Sequence, residues 1–193
     1  MQHLFLGMLW LMFAFFHSLF ASLKWKSFIQ SLMKQKYRYY RIIYSLFAFV
    51  SLSLILIYHF SLNSLQLWKP VPAQTIASIA GIITGFAGMA FFTKKYFFEL
   101  SGTDVFLKNK KSETLMQTSL YKYVRHPLYT ATLLFVWSIF FYQPLLNNLI
   151  TCFCITAYTV IGIRFEERKL ISEFGESYIQ YRSKTPMLFP KIY

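Results

Sequence analysis

Two short runs of the chain contain residue types that could hold a charged organic ligand. The first contains Arg125, His126 and Tyr129, and the second contains the adjacent carboxylates Glu166 and Glu167. Carboxylates bind amines or ribose hydroxyls, a guanidinium binds a carboxylate, and aromatic faces bind a flat base or an onium charge. This mixture suits a small zwitterion, and S-adenosylmethionine has all of these parts.

Flanking residues enlarge both runs and also leave a simpler interpretation open. Tyr121 and Tyr123 add phenols, while Arg164 and Arg168 add cations. The two glutamates would also form ordinary ion pairs with Arg164, Arg168 or Lys169 along a helix, worth a few tenths of a kcal/mol. Spacing alone does not favour a ligand site over simple ion pairs along the helix. One histidine with two glutamates is a weak set of metal ligands, so no metal site is expected.

The composition indicates that both runs belong to a membrane protein. The 193 residues are 56% hydrophobic and 21% aromatic, which is more apolar than an ordinary soluble domain. The prediction is an all-α integral membrane protein with five transmembrane helices, followed by a cytoplasmic amphipathic helix from Arg164 to Arg182. The five apolar segments are approximately Leu4–Leu23, Ile42–Leu62, Ala73–Phe92, Leu128–Gln143 and Leu145–Ile163.

Pro144 divides the last two apolar segments. A tight helical hairpin turning at Gln143–Pro144 is predicted there, because proline is suited to starting the second helix. His126 lies 18 residues before Pro144 and Glu166 lies 22 after it. At 1.5 Å per residue, each arm of the hairpin is about 27 to 33 Å long. The two runs are therefore expected to meet at the same membrane face.

The distribution of charge predicts the orientation in the membrane. Residues 24–41, 93–127 and 164–193 hold 19 of the 20 Lys and Arg residues. Basic connections lie on the cytoplasmic side, so the N-terminus is expected outside and the C-terminus inside. An anionic inner leaflet accounts for the net charge of +13 without a nucleic-acid partner. The first segment has no basic residues before it, which indicates a retained anchor rather than a cleaved signal.

A single domain is expected over residues 1–193, with residues 1–92 as a three-helix scaffold and residues 93–193 as the cofactor-binding part. The long polar connection 93–119 is a candidate lid. A stripe of small residues, Ala77, Gly81, Gly85 and Gly88, allows another helix to approach closely. That helix could belong to the same chain or to a second copy in a homodimer.

Three further residues are candidates for the acceptor side of a site. His17 is a polar group near the end of the first apolar segment, where polar residues are frequently functional. The alternative for His17 is a hydrogen bond to a neighbouring helix or a lipid headgroup. Arg41 and Arg164 are cations that could hold an anionic group of the acceptor.

A combined motif covers about the last 75 residues. It consists of Tyr121-x-x-Val124-Arg125-His126-Pro127-x-Tyr129, Glu166-Glu167-x-x-Leu170, Phe174-Gly175-x-x-Tyr178-x-x-Tyr181 and Pro190. The motif resembles that of the isoprenylcysteine carboxyl methyltransferase and phospholipid methyltransferase superfamily. The runs IGIRFEERKL and HSLFAS resemble its methanethiol S-methyltransferase branch and NnrU-like relatives.

The resemblance implies an integral membrane enzyme that uses S-adenosylmethionine. It implies that the cofactor pocket is formed by Tyr121, Arg125, His126, Pro127, Tyr129, Glu166 and Glu167. Glu167→Gln is then expected to lose about 1.5–3 kcal/mol of cofactor binding, and unchanged affinity in both Glu166→Gln and Glu167→Gln would contradict the pocket. Methyl transfer from a sulfonium mainly requires alignment of donor and nucleophile, so no covalent intermediate on the protein is expected.

The methyl acceptor remains open among a methanethiol-like thiol, an isoprenylated cysteine and a phospholipid amine. Two other functions also remain open. One is an NADPH-dependent membrane reductase of sterol-reductase-like architecture, although no Gly-rich phosphate loop is visible. The other is a non-catalytic NnrU-like membrane protein.

Overall fold

The computed structural model describes residues 1–101 and 119–190, and this part of the chain is helical. The predicted all-α class is confirmed. Most of the candidate lid, residues 102–118, lies outside the described residues. The helices are α1 (Gln2–Ala21), α2 (Leu23–Met33), α3 (Tyr40–Ser61), α4 (Pro72–Ser101), α5 (Pro127–Tyr142), α6 (Leu146–Phe174) and α7 (Glu176–Lys184).

Large apolar side chains cover the outside of the helices, as expected for contact with lipid. Phe49 is 69% exposed and Phe15 is 62% exposed, for example. Among the described residues, four helical stretches are long and apolar enough to cross a bilayer: Gln2–Ala21, Leu23–Ser61, Pro72–Lys94 and Leu146–Phe174. The chain is therefore a multi-pass membrane protein. Helix α5 is apolar but has only 16 residues, so the count of five spans stays a prediction.

The short helix α2 interrupts the path from α1 to α3. Ser22 has an extended backbone, and its hydroxyl accepts a hydrogen bond from the Trp25 amide at 3.3 Å, which caps α2. Lys34 has a φ of 48°, a left-handed conformation that ends α2. A 3-10 turn, Lys34–Tyr39, then leads into α3.

Helices α5 and α6 form the predicted hairpin. Their antiparallel packing is marked by Trp137 Nε1, which donates to Thr156 Oγ1 at 3.0 Å. The turn occupies Gln143–Leu145, and Pro144 precedes the first residue of α6 by two positions instead of starting the helix. The Pro144 carbonyl accepts a hydrogen bond from the Leu67 amide at 2.8 Å, so the turn is tied to the connection after α3.

A buried polar network near this turn joins α1, α3 and α6. His59 Nε2 lies 3.0 Å from Asn148 Oδ1, and His59 Nδ1 lies 3.1 Å from Thr151 Oγ1. Trp10 Nε1 donates to the same Thr151 hydroxyl at 3.1 Å. In an apolar surrounding such groups require partners, so the network holds the N-terminal helices against α6 in one arrangement.

The glycine stripe of α4 packs against α5 within the chain. A Cβ on Gly85 would lie 2.7 Å from the Phe135 backbone nitrogen, and one on Gly81 would collide with Ser138 Oγ. The backbones approach this closely only because the glycines lack side chains. The stripe thus supports intramolecular packing, and a homodimer remains a prediction.

The C-terminal part differs from the single amphipathic helix predicted over Arg164–Arg182. Helix α6 has 29 residues and continues without a break through Arg164 to Phe174. Gly175, with φ 54°, ends α6, and α7 begins at Glu176. The prediction was wrong because the polar composition changes at Arg164 while the helix continues, and the break comes at Gly175, where glycine adopts a positive φ at little cost.

The chain after α7 returns to the start of α5. The Arg125 amide donates to the Pro186 carbonyl at 2.9 Å, and the His126 amide donates to the Met187 carbonyl at 3.2 Å. Leu188 is buried with Leu133 and Ile163. The last described residues therefore pack on the hairpin, at the end opposite to its turn.

Candidate functional site

The two predicted runs meet at the open end of the α5–α6 hairpin. Pro127 is the first residue of α5, a position where its fixed φ is favourable and its missing N–H costs nothing. His126 caps the helix from a non-helical conformation, with φ −125° and ψ 64°. Arg125 and His126 therefore precede the helix and lie beside the turn of α6 that contains Glu166 and Glu167.

Arg125 and Glu167 form a buried ion pair. Glu167 Oε1 lies 2.6 Å from Arg125 Nη2 and accepts a hydrogen bond from Arg125 Nε at 2.8 Å. The two side chains are only 9% and 8% exposed. His126 Nε2 lies 3.3 Å from the same oxygen, and Arg182 Nε lies 3.4 Å from Glu167 Oε2. Glu167 is thus surrounded by cationic or hydrogen-bonding partners.

The same pair holds the C-terminal tail. Arg125 Nη1 donates to the Arg182 carbonyl at 3.1 Å and also to the Thr185 carbonyl. The guanidinium therefore connects the start of α5, the end of α6 and the residues after α7. These contacts give Arg125 and Glu167 an evident positioning role.

Glu166 has a different environment, although it is adjacent to Glu167. Its side chain is 43% exposed. The Tyr129 hydroxyl donates to Glu166 Oε2 at 2.9 Å, and His126 Nδ1 lies 3.9 Å from that oxygen. Successive helix residues point about 100° apart, so one carboxylate is buried against the tail and the other faces an open region.

Tyr178 of α7 lies against the buried ion pair and was not singled out as a site residue from the sequence. Its side chain is 1% exposed, and its hydroxyl has no hydrogen-bond partner among the described residues. Burial, together with the negative charge of Glu167, raises the pKa of Tyr178 above its ordinary value. The Phe-Gly-x-x-Tyr spacing was the only sequence signal for it.

Tyr121 lies at the edge of this assembly. Its carbonyl accepts a hydrogen bond from the Tyr181 hydroxyl at 2.6 Å, and its ring packs edge-on against Phe92. Tyr121 thereby joins the 3-10 turn Ser119–Lys122 to α7 and α4. These contacts position the approach to Arg125.

The three candidate acceptor-side residues lie outside this cluster. His17 Nε2 lies 2.8 Å from the Tyr44 hydroxyl, and the His17 ring meets the Tyr158 ring edge-on at 5.9 Å. The predicted alternative for His17, a hydrogen bond to a neighbouring helix, is confirmed. Arg41 is partly buried one turn before Tyr44, and Arg164 is exposed on α6.

An apolar cavity of about 340 Å³ lies between α1, α3, α4, α5 and α6. Tyr129 and Tyr158 are on its wall, and it is the Tyr129 hydroxyl that bonds Glu166. One phenol therefore belongs to both the cavity and the open carboxylate. The apolar part of the wall includes Trp10, Phe13, Leu52, Met89, Leu128 and Ile155.

The chain has relatives among characterised proteins. A family model described as "NnrU protein" matches residues 4–189. Methanethiol S-methyltransferase 1 of Bradyrhizobium diazoefficiens is 30% identical, over 93% of this chain and 64% of its own length. Methanethiol S-methyltransferase 2 of the same organism is 29% identical, over 65% of this chain and 53% of its own length. Protein-S-isoprenylcysteine O-methyltransferase of Xenopus laevis is 37% identical over 45% of this chain and 31% of its own length.

The chain thus covers between about half and just under two thirds of the length of the two Bradyrhizobium proteins. No solved structure is significantly similar to it. The superfamily inferred from the motif is the one to which these named relatives point.

Proposed function

Because the chain belongs to the NnrU protein family, and its relatives include proteins named methanethiol S-methyltransferase and protein-S-isoprenylcysteine O-methyltransferase, we propose that it is an integral membrane methyltransferase. The methyl donor is S-adenosylmethionine. The acceptor is a thiol or carboxylate of a small apolar or lipid-like molecule.

The observation that carries this proposal is the position of Tyr129. Its hydroxyl donates to the exposed carboxylate of Glu166 at 2.9 Å, and its side chain also lines the apolar cavity. A polar cofactor and an apolar acceptor must come together for the transfer to occur. Tyr129 marks the boundary at which a polar region and an apolar space adjoin.

The residues around Glu166 fit the polar groups of the cofactor. The exposed Glu166 carboxylate suits an amine or ribose hydroxyls, and the Tyr129 ring suits a sulfonium. Arg164 and Arg168, two residues before and after Glu166, are exposed on a different face of α6 and stay outside this cluster. When bound, S-adenosylmethionine supplies an activated methyl group.

Arg125, His126 and Glu167 then act mainly by positioning. Their side chains are engaged with one another, and Arg125 also holds the carbonyls of the tail. Pro127 and Tyr121 hold the start of α5 and the preceding turn. This rigid arrangement fixes Tyr129 and Glu166 relative to the cavity, which is what an alignment-dependent reaction requires.

The proposed orientation has the N-terminus outside and the cofactor site on the cytoplasmic side. It rests on the concentration of basic residues in three connections. The site is at the end of the hairpin where α6 becomes polar, so a soluble cofactor could reach it from the cytoplasm. The acceptor would come from the bilayer or from the cavity.

A direct test is to titrate the purified protein, in lipid nanodiscs, with S-adenosylmethionine. The same preparation is then assayed for transfer of a labelled methyl group to thiols, prenylcysteine analogues and phospholipid amines. Saturable binding with transfer to a thiol or a prenylcysteine supports the proposal. Binding without transfer to any of the three classes would instead assign a non-catalytic NnrU-like role.

A further inference from the structure

We propose that the intramembrane cavity binds the body of an apolar thiol considerably larger than methanethiol, with the sulfur placed at Tyr129. This inference rests on the proposed methyltransferase function and specifies its acceptor. Tyr129 is the one motif residue among the described residues that line this cavity.

The volume of the cavity sets the size of the acceptor. About 340 Å³ corresponds to roughly eleven water molecules at about 30 Å³ each. A thiol with two heavy atoms would leave most of this space unfilled, and the surrounding side chains would lose contacts. Allowing for incomplete filling, these water-sized volumes correspond to an acceptor of about six to ten heavy atoms, and about 340 Å³ lies in the lower range of small-molecule pockets.

The chemistry of the wall favours a neutral acceptor. The side chains that line the cavity, within the described ranges 1–101 and 119–190, include no Asp, Glu, Lys or Arg. Bringing a carboxylate or an ammonium group into such a space costs several kcal/mol unless it is paired. A thiol enters uncharged, and a sulfur atom is tolerated by aromatic surroundings.

The distribution of polar atoms orients the acceptor. Tyr129 lies in the first turn of α5, beside Glu166, whereas Trp10 and Cys154 line the part of the cavity closer to the hairpin turn. The apolar body therefore extends toward Trp10, with the reactive sulfur at the Tyr129 end. Tyr158 provides a second phenol on the wall, and the His17 ring contacts the Tyr158 ring edge-on.

Tyr129 also offers a route for the proton. During transfer the thiol S–H bond breaks, and a sulfur–carbon bond forms to the methyl group as the methyl's bond to the donor sulfur breaks. The Tyr129 oxygen accepts the thiol proton while its own hydroxyl proton passes to the Glu166 carboxylate along their hydrogen bond. Glu166 is 43% exposed and can release that proton to water.

The test uses binding without cofactor as well as turnover. Thermal stabilisation of the full chain in nanodiscs is measured with n-alkyl methyl sulfides from methyl to decyl, and initial rates are measured with the matching thiols, beginning with methanethiol. The cavity variant is Ala14→Phe, because Ala14 lines the cavity. The control is Ala157→Phe, an exposed position on α6 that does not line it.

In the wild type, stabilisation and kcat/KM are expected to rise with chain length to about six to ten heavy atoms. Ala14→Phe should weaken octyl methyl sulfide binding by about tenfold or more relative to the wild type, because the ring occupies the apolar space. It should leave S-adenosylmethionine affinity unchanged. Ala157→Phe should retain the wild-type length dependence.

Equal length dependence in both variants, or a maximum at methanethiol and its sulfide, would overturn the assignment. If Ala14→Phe does not fold, Thr132→Leu on α5 reduces the same cavity and serves in its place. Absence of cofactor binding, with length-selective sulfide binding retained, would overturn the proposed function and leave the cavity as a binding site. The two failures are therefore distinguishable.

Discussion

Glu167 Oε1 lies 2.6 Å from Arg125 Nη2, and this pair is buried where the C-terminal tail crosses the start of α5. The adjacent Glu166 is exposed and accepts a hydrogen bond from Tyr129. Two neighbouring carboxylates in one motif thus have different surroundings. We expect their substitution to have different consequences, stability for one and cofactor affinity for the other.

The variant Glu167→Gln should lose about 3–5 kcal/mol of stability, because Arg125 would remain buried without a counter-charge. Chemical unfolding in detergent measures the change, with Glu173→Gln, at an exposed position on the same helix, as the control. In a double-mutant cycle, Arg125→Met together with Glu167→Met should lose less than the two single variants added. An unfolding midpoint equal to the wild type would contradict the positioning role.

Glu166→Gln should weaken S-adenosylmethionine binding by about 1.5–3 kcal/mol, the range for a hydrogen bond to a charged group. Its stability should change by no more than about 0.5 kcal/mol, because the side chain is exposed. Titration calorimetry or a thermal-shift series in nanodiscs separates the two effects. Cofactor affinity indistinguishable between Glu166→Gln and the Glu173→Gln control would remove Glu166 from the site.

The surroundings of two glycines, Gly85 on α4 and Gly162 on α6, predict opposite effects of alanine substitution on stability. Gly85→Ala should destabilise the protein by about 1–3 kcal/mol, because the new Cβ meets the Phe135 backbone. Gly162→Ala should stabilise α6 by up to about 1 kcal/mol, since its Cβ would meet nothing within 4 Å and alanine favours the helix. Unfolding curves of the two variants, measured side by side, test this. Equal effects would show that α4 and α5 are not packed so closely.

The network around His59 should matter for stability and not for cofactor affinity. His59→Leu leaves Asn148 and Thr151 without their imidazole partner, which should cost about 1–3 kcal/mol for each buried group left unpaired. Ser61→Ala, at an exposed position on the same helix, is the control. A large loss of S-adenosylmethionine affinity in correctly folded His59→Leu would contradict the separation of the two ends of the molecule.

The orientation can be tested by labelling single cysteines in a background of Cys152→Ala and Cys154→Ala. Asn63→Cys lies in the connection after α3, and Glu173→Cys lies near the end of α6. An impermeant thiol reagent added to intact cells should label the first, and the second only after permeabilisation. The reverse pattern would place the proposed cofactor site on the outer face.

The sequence by itself determined the class of the protein and the juxtaposition of its two motif runs. The apolar segments, and the number of residues between each run and Pro144, can be read directly from the sequence. Since the length of a helix depends only on its number of residues, these counts predicted that the two runs meet, and the observed hairpin brings them together. The motif was likewise enough to recognise the superfamily. Hydropathy does not locate a helix end, however, and the predicted helix boundary at Arg164 was replaced by a break at Gly175.

Only the tertiary structure distinguishes the surroundings of the two adjacent glutamates. Glu166 and Glu167 are the same residue type at adjacent positions, so local sequence contains nothing that distinguishes them. Their difference arises from contacts across the chain: Arg125 and the tail cover one carboxylate, and Tyr129 meets the other. The cavity likewise exists only where five helices meet. Burial and pairing over such distances depend on packing, which no single stretch of residues specifies.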